Sequence, residues 1–326
     1  MRVLSGIQPS GRLHLGNYFG AMKPQLALQK DSEPLYFIAS YHALTTVHDP
    51  HQLRALTVDV AMDYLALGLD PEVTTLFRQQ DVPQVTELAW ILSCVTPMGF
   101  LERAVSYKDK VAQGLFPNHG LFAYPVLQAA DILIYLSEVV PVGQDQRQHI
   151  EITRDIANKF NQEFGEVFVV PESRIIESTA IIPGTDGRKM SKSYGNEIGI
   201  FEEGTTLRNK VMGIVTDSSG IDEPKDPHSS TPFLLLRMLA SAEETAEWER
   251  RYVEGGMGFG EVKKRLLELI QETLAPAREK RRELERDPGY VEDVLTEGGK
   301  RARSIARPVM ERVRELTGLP ISYKPV

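Results

Sequence analysis

The sequence predicts an α/β protein, with a Rossmann-like, doubly wound parallel sheet followed by an all-helical domain. Short runs rich in branched and aromatic residues alternate with helical periodicities through the first half, the pattern of a parallel sheet covered on both faces. After residue 186 the strand pattern gives out and only helical segments follow. A glycine-punctuated cationic stretch, "GTDGRKMSKSYGN" from Gly184 to Asn196, lies where the texture changes. The expected division is 1–186 for the sheet domain and 187–326 for the loop and helices, with the last helix packing back on the sheet domain.

Taken in order, "RVLSGI" reads as a short buried strand, "QPSG" as a turn and "LHLGNYFGAMKPQLALQ" as a helix that Pro24 should kink or split. "EPLYFIASYHAL" is a second strand, and "DPHQLRALTVDVAMDYLALGLDP" a helix bracketed by Asp-Pro pairs. "TTLFRQ" is a third strand, followed by the helix "VTELAWILSCV". A helix around Gln128 to Tyr135 leads to the strand "EVVPVG", the helix "QRQHIEITRDIANKF" and a further short strand at "EVFVVP". Beyond the cationic loop, "HSSTPFLLLRMLASA", "TAEWERRYV", "GEVKKRLLELIQETLAPAREKRRELERD" and "GGKRARSIARPVMERVRELTG" are helical.

Composition excludes several classes. The 326 residues suffice for one large core or two domains. No transmembrane-length apolar run and no signal-peptide pattern is visible, so a cytoplasmic location and no membrane partner are expected. Cys94 is the only cysteine, which excludes an internal disulfide or a multi-thiolate metal site, and the seven histidines do not fall at metal-ligand spacing. The net charge of 37 − 45 = −8 argues against a general nucleic-acid coat but leaves local basic patches open.

Two stretches point to an anionic ligand. In an open parallel sheet, ligands sit beyond the carboxyl ends of the strands, where helix N-termini offer free amides. "SGIQPSGRLHLGN" fits that place: Ser10 and Gly11 permit close backbone approach, while His14 and Asn17 lie three apart on one face of the helix start. The competing account has His14 as a helix cap or core residue. In the second stretch Arg188, Lys189 and Lys192 are grouped among Gly184, Gly187 and Gly195, as in a mobile phosphate-gripping loop or a solvated surface loop.

Together, H-x-G-N after the first strand and a later K-M-S-K-S resemble the paired signatures of class I aminoacyl-tRNA synthetases. "SGIQPSGRLHLGNY", "YHALTTVHDP", "YPVLQAADILIY" and "VPVGQDQRQHIEITRDIANKF" narrow the resemblance to the bacterial tryptophanyl-tRNA synthetase family, over nearly the whole chain. The resemblance implies activation of L-tryptophan by ATP with Mg2+, release of pyrophosphate, and transfer of the amino acid to the terminal ribose of tRNA(Trp). It assigns His14, Asn17, Lys110, Lys189 and Lys192 to catalysis. Gln8, Ser10, Gly11, Gly16, Gly143, Asp145, Met190, Ser191 and Ser193 join them around ATP. Gln8, His42, Tyr124, Gln128, Asp131 and Gln146 would hold the amino acid, with Asp131 accepting the indole N–H. The family also implies a homodimer, for which the apolar run from Trp90 to Phe100 is the candidate contact or else monomer core.

Three departures stand out: Gln128 where the family commonly has Met, Ser40 in place of an Asp, and "KSYGN" where relatives have Ser-Asp-Pro. Arg278, Lys280, Arg281, Arg282, Lys300, Arg301, Arg303 and Arg307 form a basic series, read mainly as a solvated face interleaved with Glu283 and Glu285. The resemblance assigns the same region to the anticodon. Tyrosyl-tRNA synthetase, a nucleotidyltransferase and a synthetase-derived binding protein without charging activity remain the alternatives.

Overall fold

The computed structural model describes residues 1–102, 114, 118–143, 146–175 and 182–320. Five strands, β1 (Arg2–Ile7), β2 (Glu33–Ile38), β3 (Thr75–Arg78), β4 (Val139–Val142) and β5 (Glu172–Ile175), form one sheet in the order β3-β2-β1-β4-β5. Every pairing is parallel, with Leu4 opposite Leu35, Tyr36 opposite Leu76, and Val3 opposite Val139. The chain therefore runs outward from β1 on one side and resumes at β4 on the other. That reversal opens a crevice beyond the carboxyl ends of β1 and β4.

The first helical run, α1, comprises Leu15–Asn17, a π-helical turn at Tyr18–Met22, and Lys23–Leu28. Pro24 does not break it. The wider turn places the Lys23 N–H on the Tyr18 carbonyl, and Pro24 then occupies a first-turn position, where its missing N–H costs no bond. Next come α2 (Ser40–Ala43), α3 (Pro50–Ala66), α4 (Gln84–Val95), α5 (Met98–Glu102), α6 (His119–Leu133) and α7 (Arg147–Phe164). Asp49 caps α3 by accepting from the His51 and Gln52 N–H groups, at 2.8 and 3.1 Å. The fifth strand differs from the expected "EVFVVP". Those residues instead wrap the end of α7, with the Val167 and Phe168 N–H groups donating to Asn161 Oδ1, and pairing begins only at Glu172.

The remaining helices are α8 (Gly204–Met212), α9 (Thr231–Leu236), α10 (Ala242–Glu254), α11 (Phe259–Arg286) and α12 (Pro288–Leu316). The sequence pattern missed α8, whose opening "GTT" has weak helical propensity; buried Leu207 and Val211 hold it in place.

The alternation along β2 divides the core into two layers. Tyr36 and Ile38 pack with α3 and α11, while Leu35 and Phe37 pack with α4, α6 and α7. Helix α12 belongs to both layers. Its Val291, Val294 and Leu295 lie in the first, and its Ala302, Ala306, Val309 and Met310 in the second. It passes between them across edge strand β3, and Gly298 marks the crossing: a Cβ there would lie 1.8 Å from the Leu76 carbonyl oxygen. The helix thus covers an edge that would otherwise be open to intermolecular pairing.

Half of the basic series is not a solvated face: Lys280, Arg282, Lys300 and Arg307 are exposed, and Arg278, Arg281, Arg301 and Arg303 turn inward. Arg301 donates to the Pro71 carbonyl at 2.7 Å and Arg303 to the Asp81 carbonyl at 2.5 Å, while Arg278 is buried. Only the shorter-range pairs, such as Lys280 with Glu283 and Lys300 with Glu297, fit the solvated reading. The inward arginines bond backbone carbonyls that the helix packing leaves without strand or helix partners. Gly298→Ala should destabilise the fold by roughly 2–3 kcal/mol through overpacking against β3. Urea denaturation measures this, and an unchanged midpoint would contradict the close crossing.

Candidate active site

The site is built at the carboxyl edge of the sheet. Gln8 follows β1, His42 lies in α2 just beyond β2, Gln79 follows β3 and Gly143 follows β4. With Tyr124, Gln128, Asp131 and Gln146, most of them line a cleft of 710 Å³ that also exposes Leu4, Phe37 and Val140. The six expected amino-acid contacts, Gln8, His42, Tyr124, Gln128, Asp131 and Gln146, thus share one cavity. Lys110 and Asp145 lie outside the described residues.

Asp131 is the polar centre of this cleft. It is 1% exposed, accepts from Gln79 Nε2 at 2.8 Å on Oδ1 and 2.9 Å on Oδ2, and lies 2.8 Å from His42 Nε2. Burial raises its pKa above the ordinary carboxylate value, while the hydrogen bonds from His42 and Gln79 oppose the rise. A carboxylate has about four acceptor positions, so these contacts leave one open on Oδ1. Gln79 is itself fixed from behind, its Oε1 accepting the Tyr41 N–H at 2.8 Å. On the other wall, Tyr124 OH lies 3.1 Å from His149 Nε2.

Gln79 and His149 were not among the sequence candidates. Gln79 had a usable signal, its place immediately after a strand in a parallel sheet. His149 had none, because its partner comes from a different helix.

Beside the cleft, α1 and the lysine loop meet. The Leu15 N–H donates to the Ile198 carbonyl at 2.9 Å and the Ile200 N–H to the Leu13 carbonyl at 3.2 Å. Met190 is buried, with its sulfur accepting the Gly16 N–H at 3.3 Å, so its side chain anchors the loop beneath α1. Gly11 has φ +124°, and the Lys192 ammonium lies 3.2 Å from where a Cβ would project. His14, Asn17, Gly11 and Lys192 are thereby brought to one place, with Lys189, Ser191 and Ser193 on the same loop.

His14 does cap α1. Its Nδ1 accepts the Asn17 N–H at 3.3 Å, and Asn17 Oδ1 accepts the His14 N–H at 3.1 Å. The two residues satisfy each other's acceptors, so the polar groups left over, His14 Nε2–H and the Asn17 amide, are donors suited to phosphate oxygens. Capping and phosphate contact are therefore compatible.

The loop has more internal order than its glycines suggest. Residues 182–190 fold back through the Met190 N–H to Ile182 carbonyl bond of 2.8 Å, and Lys192–Tyr194 form a 3-10 turn. Asn196 ties the two parts, accepting from the Ser191 N–H at 2.8 Å and donating to Asp186 at 2.6 Å.

Burial, and then the Lys192 ammonium, push His14 down to about 4, with Glu197 opposing. The imidazole is therefore neutral at pH 7. Because its folded value lies below the unfolded value of about 6.5, the unfolded chain takes up this proton first. Stability from this group is complete above pH 6.5 and falls as pH drops toward 4, by about 2–3 kcal/mol. His14→Gln keeps an acceptor at the cap but does not titrate. Its stability relative to wild type should improve by that amount between pH 7.5 and 4.5 in denaturant melts, and parallel curves would refute the buried neutral ring.

Residues 1–275 match the family model described as tRNA synthetases class I (W and Y). A tryptophan–tRNA ligase from Rhodopirellula baltica is 52% identical over 319 residues, covering 98% of this chain and 100% of the relative. Its counterpart from Fusobacterium nucleatum is 51% identical and covers 98% of each chain. Among solved structures, the tryptophanyl-tRNA synthetase from Campylobacter jejuni complexed with ADP and tryptophan superposes with a TM-score of 0.92 at 48% identity, covering 98% of this chain and 100% of that one. With a sheet whose first helix meets a K-M-S-K-S loop, and a family match over most of its length, the chain belongs to the class I tRNA synthetases of the tryptophan and tyrosine group.

Proposed function

We propose that the chain is an aminoacyl-tRNA ligase that activates L-tryptophan with ATP and transfers it to the terminal ribose of tRNA(Trp). The observation that carries this reading is a buried carboxylate, Asp131, in an apolar cleft adjoining the meeting place of α1 and the lysine loop. The cleft fits a flat aromatic ring, and the open acceptor position on Asp131 fits a single indole N–H. Tyr124 and Gln146 border the same cleft and are assigned to the substrate ammonium. Gln128 adds an amide to the wall where the family's Met would be apolar.

In the first step the tryptophan carboxylate attacks the α-phosphorus of ATP, forming the adenylate as the bond to pyrophosphate breaks. The protein's part is positioning and compensation of charge on the phosphate oxygens. His14 Nε2–H and the Asn17 amide donate to those oxygens without adding charge. Lys189 and Lys192, with the Ser191 and Ser193 hydroxyls, hold the pyrophosphate as it leaves, and Gly11 and Gly16 leave room for the nucleotide. Mg2+ would accompany ATP and offset charge on its phosphates.

In the second step a terminal ribose hydroxyl of tRNA takes the acyl group from the adenylate, releasing AMP. The helical region is assigned to tRNA. A homodimer is assigned to the outer face of α4 and α5, where Trp90 is 73% and Met98 60% exposed while Ile91, Leu92 and Val95 face inward. Among the described residues no helix is long and apolar enough to cross a membrane.

ATP–pyrophosphate exchange, measured with each amino acid in turn, tests the reading. Tryptophan should support exchange and tyrosine should not, and adding tRNA should yield charged product. Lys192→Ala should lower kcat for exchange by about 100-fold while tryptophan Kd stays within about twofold. Equal losses in both would contradict its place at the leaving group. Asp131→Ala should erase most of the preference for tryptophan over phenylalanine, on the order of 100-fold or more. Intact discrimination in that variant would move the indole contact elsewhere.

A further inference from the structure

The lysine loop is ordered around one buried side chain. Asn196 is 2% exposed, and every polar atom of its amide is used within the loop. Oδ1 accepts the Ser191 N–H at 2.8 Å, while Nδ2 donates to the Lys189 carbonyl at 3.1 Å and to Asp186 Oδ1 at 2.6 Å. The Asn196 carbonyl in turn accepts the Thr185 N–H at 2.9 Å. The backbone is thus gripped on both sides of Met190, whose sulfur accepts the Gly16 N–H of α1. Gly184 makes room for the amide, since a Cβ there would run into the Asn196 side chain.

The loop cations Arg188, Lys189 and Lys192 are not equivalent. Arg188 turns back on the loop: Nε and Nη2 reach Asp186 Oδ2 at 2.7 and 2.6 Å, its N–H donates to Oδ1 at 3.0 Å, and its guanidinium lies 4.4 Å from the centroid of the Tyr194 ring. The Asn196 bond, with those from Arg188, keeps the Asp186 carboxyl below the ordinary carboxylate range, so it is ionised at neutral pH. Arg188 is therefore charge-balanced inside the loop. Among the described residues, the Lys189 and Lys192 ammoniums make no hydrogen bond or ion pair. What is fixed for these two lysines is the backbone that carries them, and Asn196 fixes it. An apolar side chain at 196 could fill the space but would leave the Ser191 N–H and the Lys189 carbonyl without these partners.

We propose that Asn196 is a positioning residue for adenylation: its amide sets the backbone spacing of Lys189 and Lys192, so that both ammoniums reach the departing pyrophosphate together. The inference rests on the adenylation reading for its kinetic consequence, and on the hydrogen bonds alone for its structural one. The glycine-punctuated loop then acts as a preformed unit. Because the lysines gain their full interaction as pyrophosphate leaves, loosening the unit lowers kcat and leaves the tryptophan cleft unaffected.

The test exchanges donor and acceptor in the tie, in the full chain. Asn196→Asp keeps the size and the acceptor for Ser191, but presents a carboxylate to Asp186 and to the Lys189 carbonyl in place of a donor. Tryptophan-dependent ATP–pyrophosphate exchange should lose about 30-fold in kcat, with the tryptophan KM within about twofold of wild type. Adding Asp186→Asn returns an amide donor to face the new carboxylate. kcat should then recover about tenfold, although Asp186→Asn alone should lower it by less than about threefold. Independently of activity, trypsin should cleave native Asn196→Asp after Lys189 or Lys192 several times faster than the wild type, with the double variant close to wild type.

Wild-type kcat in Asn196→Asp would overturn the proposal. So would a loss carried by the tryptophan KM, a double variant that recovers nothing, or equal cleavage of all three proteins. If Asn196→Asp does not fold, Gly184→Ala takes its place, because its Cβ presses on the same amide: kcat should fall about tenfold with the tryptophan KM unchanged, and wild-type kcat would count against the role. Absence of exchange in the wild type would refute the function reading, while the cleavage comparison would still decide whether Asn196 holds the loop.

Discussion

The site depends on two backbone hydrogen bonds, from Leu15 to Ile198 and from Ile200 to Leu13, between segments that lie far apart in the chain. Neither segment is complete alone. The start of α1 offers neutral donors and the loop offers cations, and their pairing brings both to the place proposed for one anionic ligand. The Gly16 N–H on the Met190 sulfur and the bare backbone at Gly11 beneath Lys192 tighten the same junction. At Gly11 the φ of +124° disfavours any side chain, and at Gly16 a Cβ would crowd the His14 ring at 2.9 Å.

This arrangement separates two electrostatic tasks. On the loop side, charges are exposed or balanced by nearby carboxylates, as with Lys192 near Glu197 and Asp63. His14 remains neutral, so it contributes a directed hydrogen bond without opposing the lysines by like-charge repulsion. On the cleft side a single buried carboxylate is satisfied almost completely by Gln79 and His42. A rigid acceptor with one position open selects for a donor in one direction, and leaving it unmet is costly in a low-dielectric cavity.

The helical region is integrated with the sheet domain more closely than a tethered module would be. Helix α12 crosses the β3 edge at Gly298 and contributes residues to both core layers. Arg78 pairs with Glu292 of α12, and Arg314 of that helix with Glu87 of α4. The inward bonds of Arg278, Arg281, Arg301 and Arg303 likewise turn half of the basic series, read from sequence as mainly solvated, into ties between elements. The expectation failed because a helical wheel shows which residues share a face but not what that face meets.

Much of the fold was legible because its signals are local. The strand at "RVLSGI", the capped helix after Asp49 and the span of α11 follow from side-chain periodicity and capping chemistry, which act within a few residues, whereas α12 begins at Pro288, ahead of the expected start at Gly298. The motif pair around His14 and Lys192 was legible for the same reason, since each half is contiguous. The late start of β5, the π-turn before Pro24, the Gln79 support of Asp131 and the Arg281 bond to Asp63 were not. Each depends on which distant atoms the completed packing brings within hydrogen-bonding distance. The sequence by itself determined the donors, the cations and the order of strands and helices. The tertiary structure alone decided which of them face one another, because burial and pairing are properties of neighbours in space.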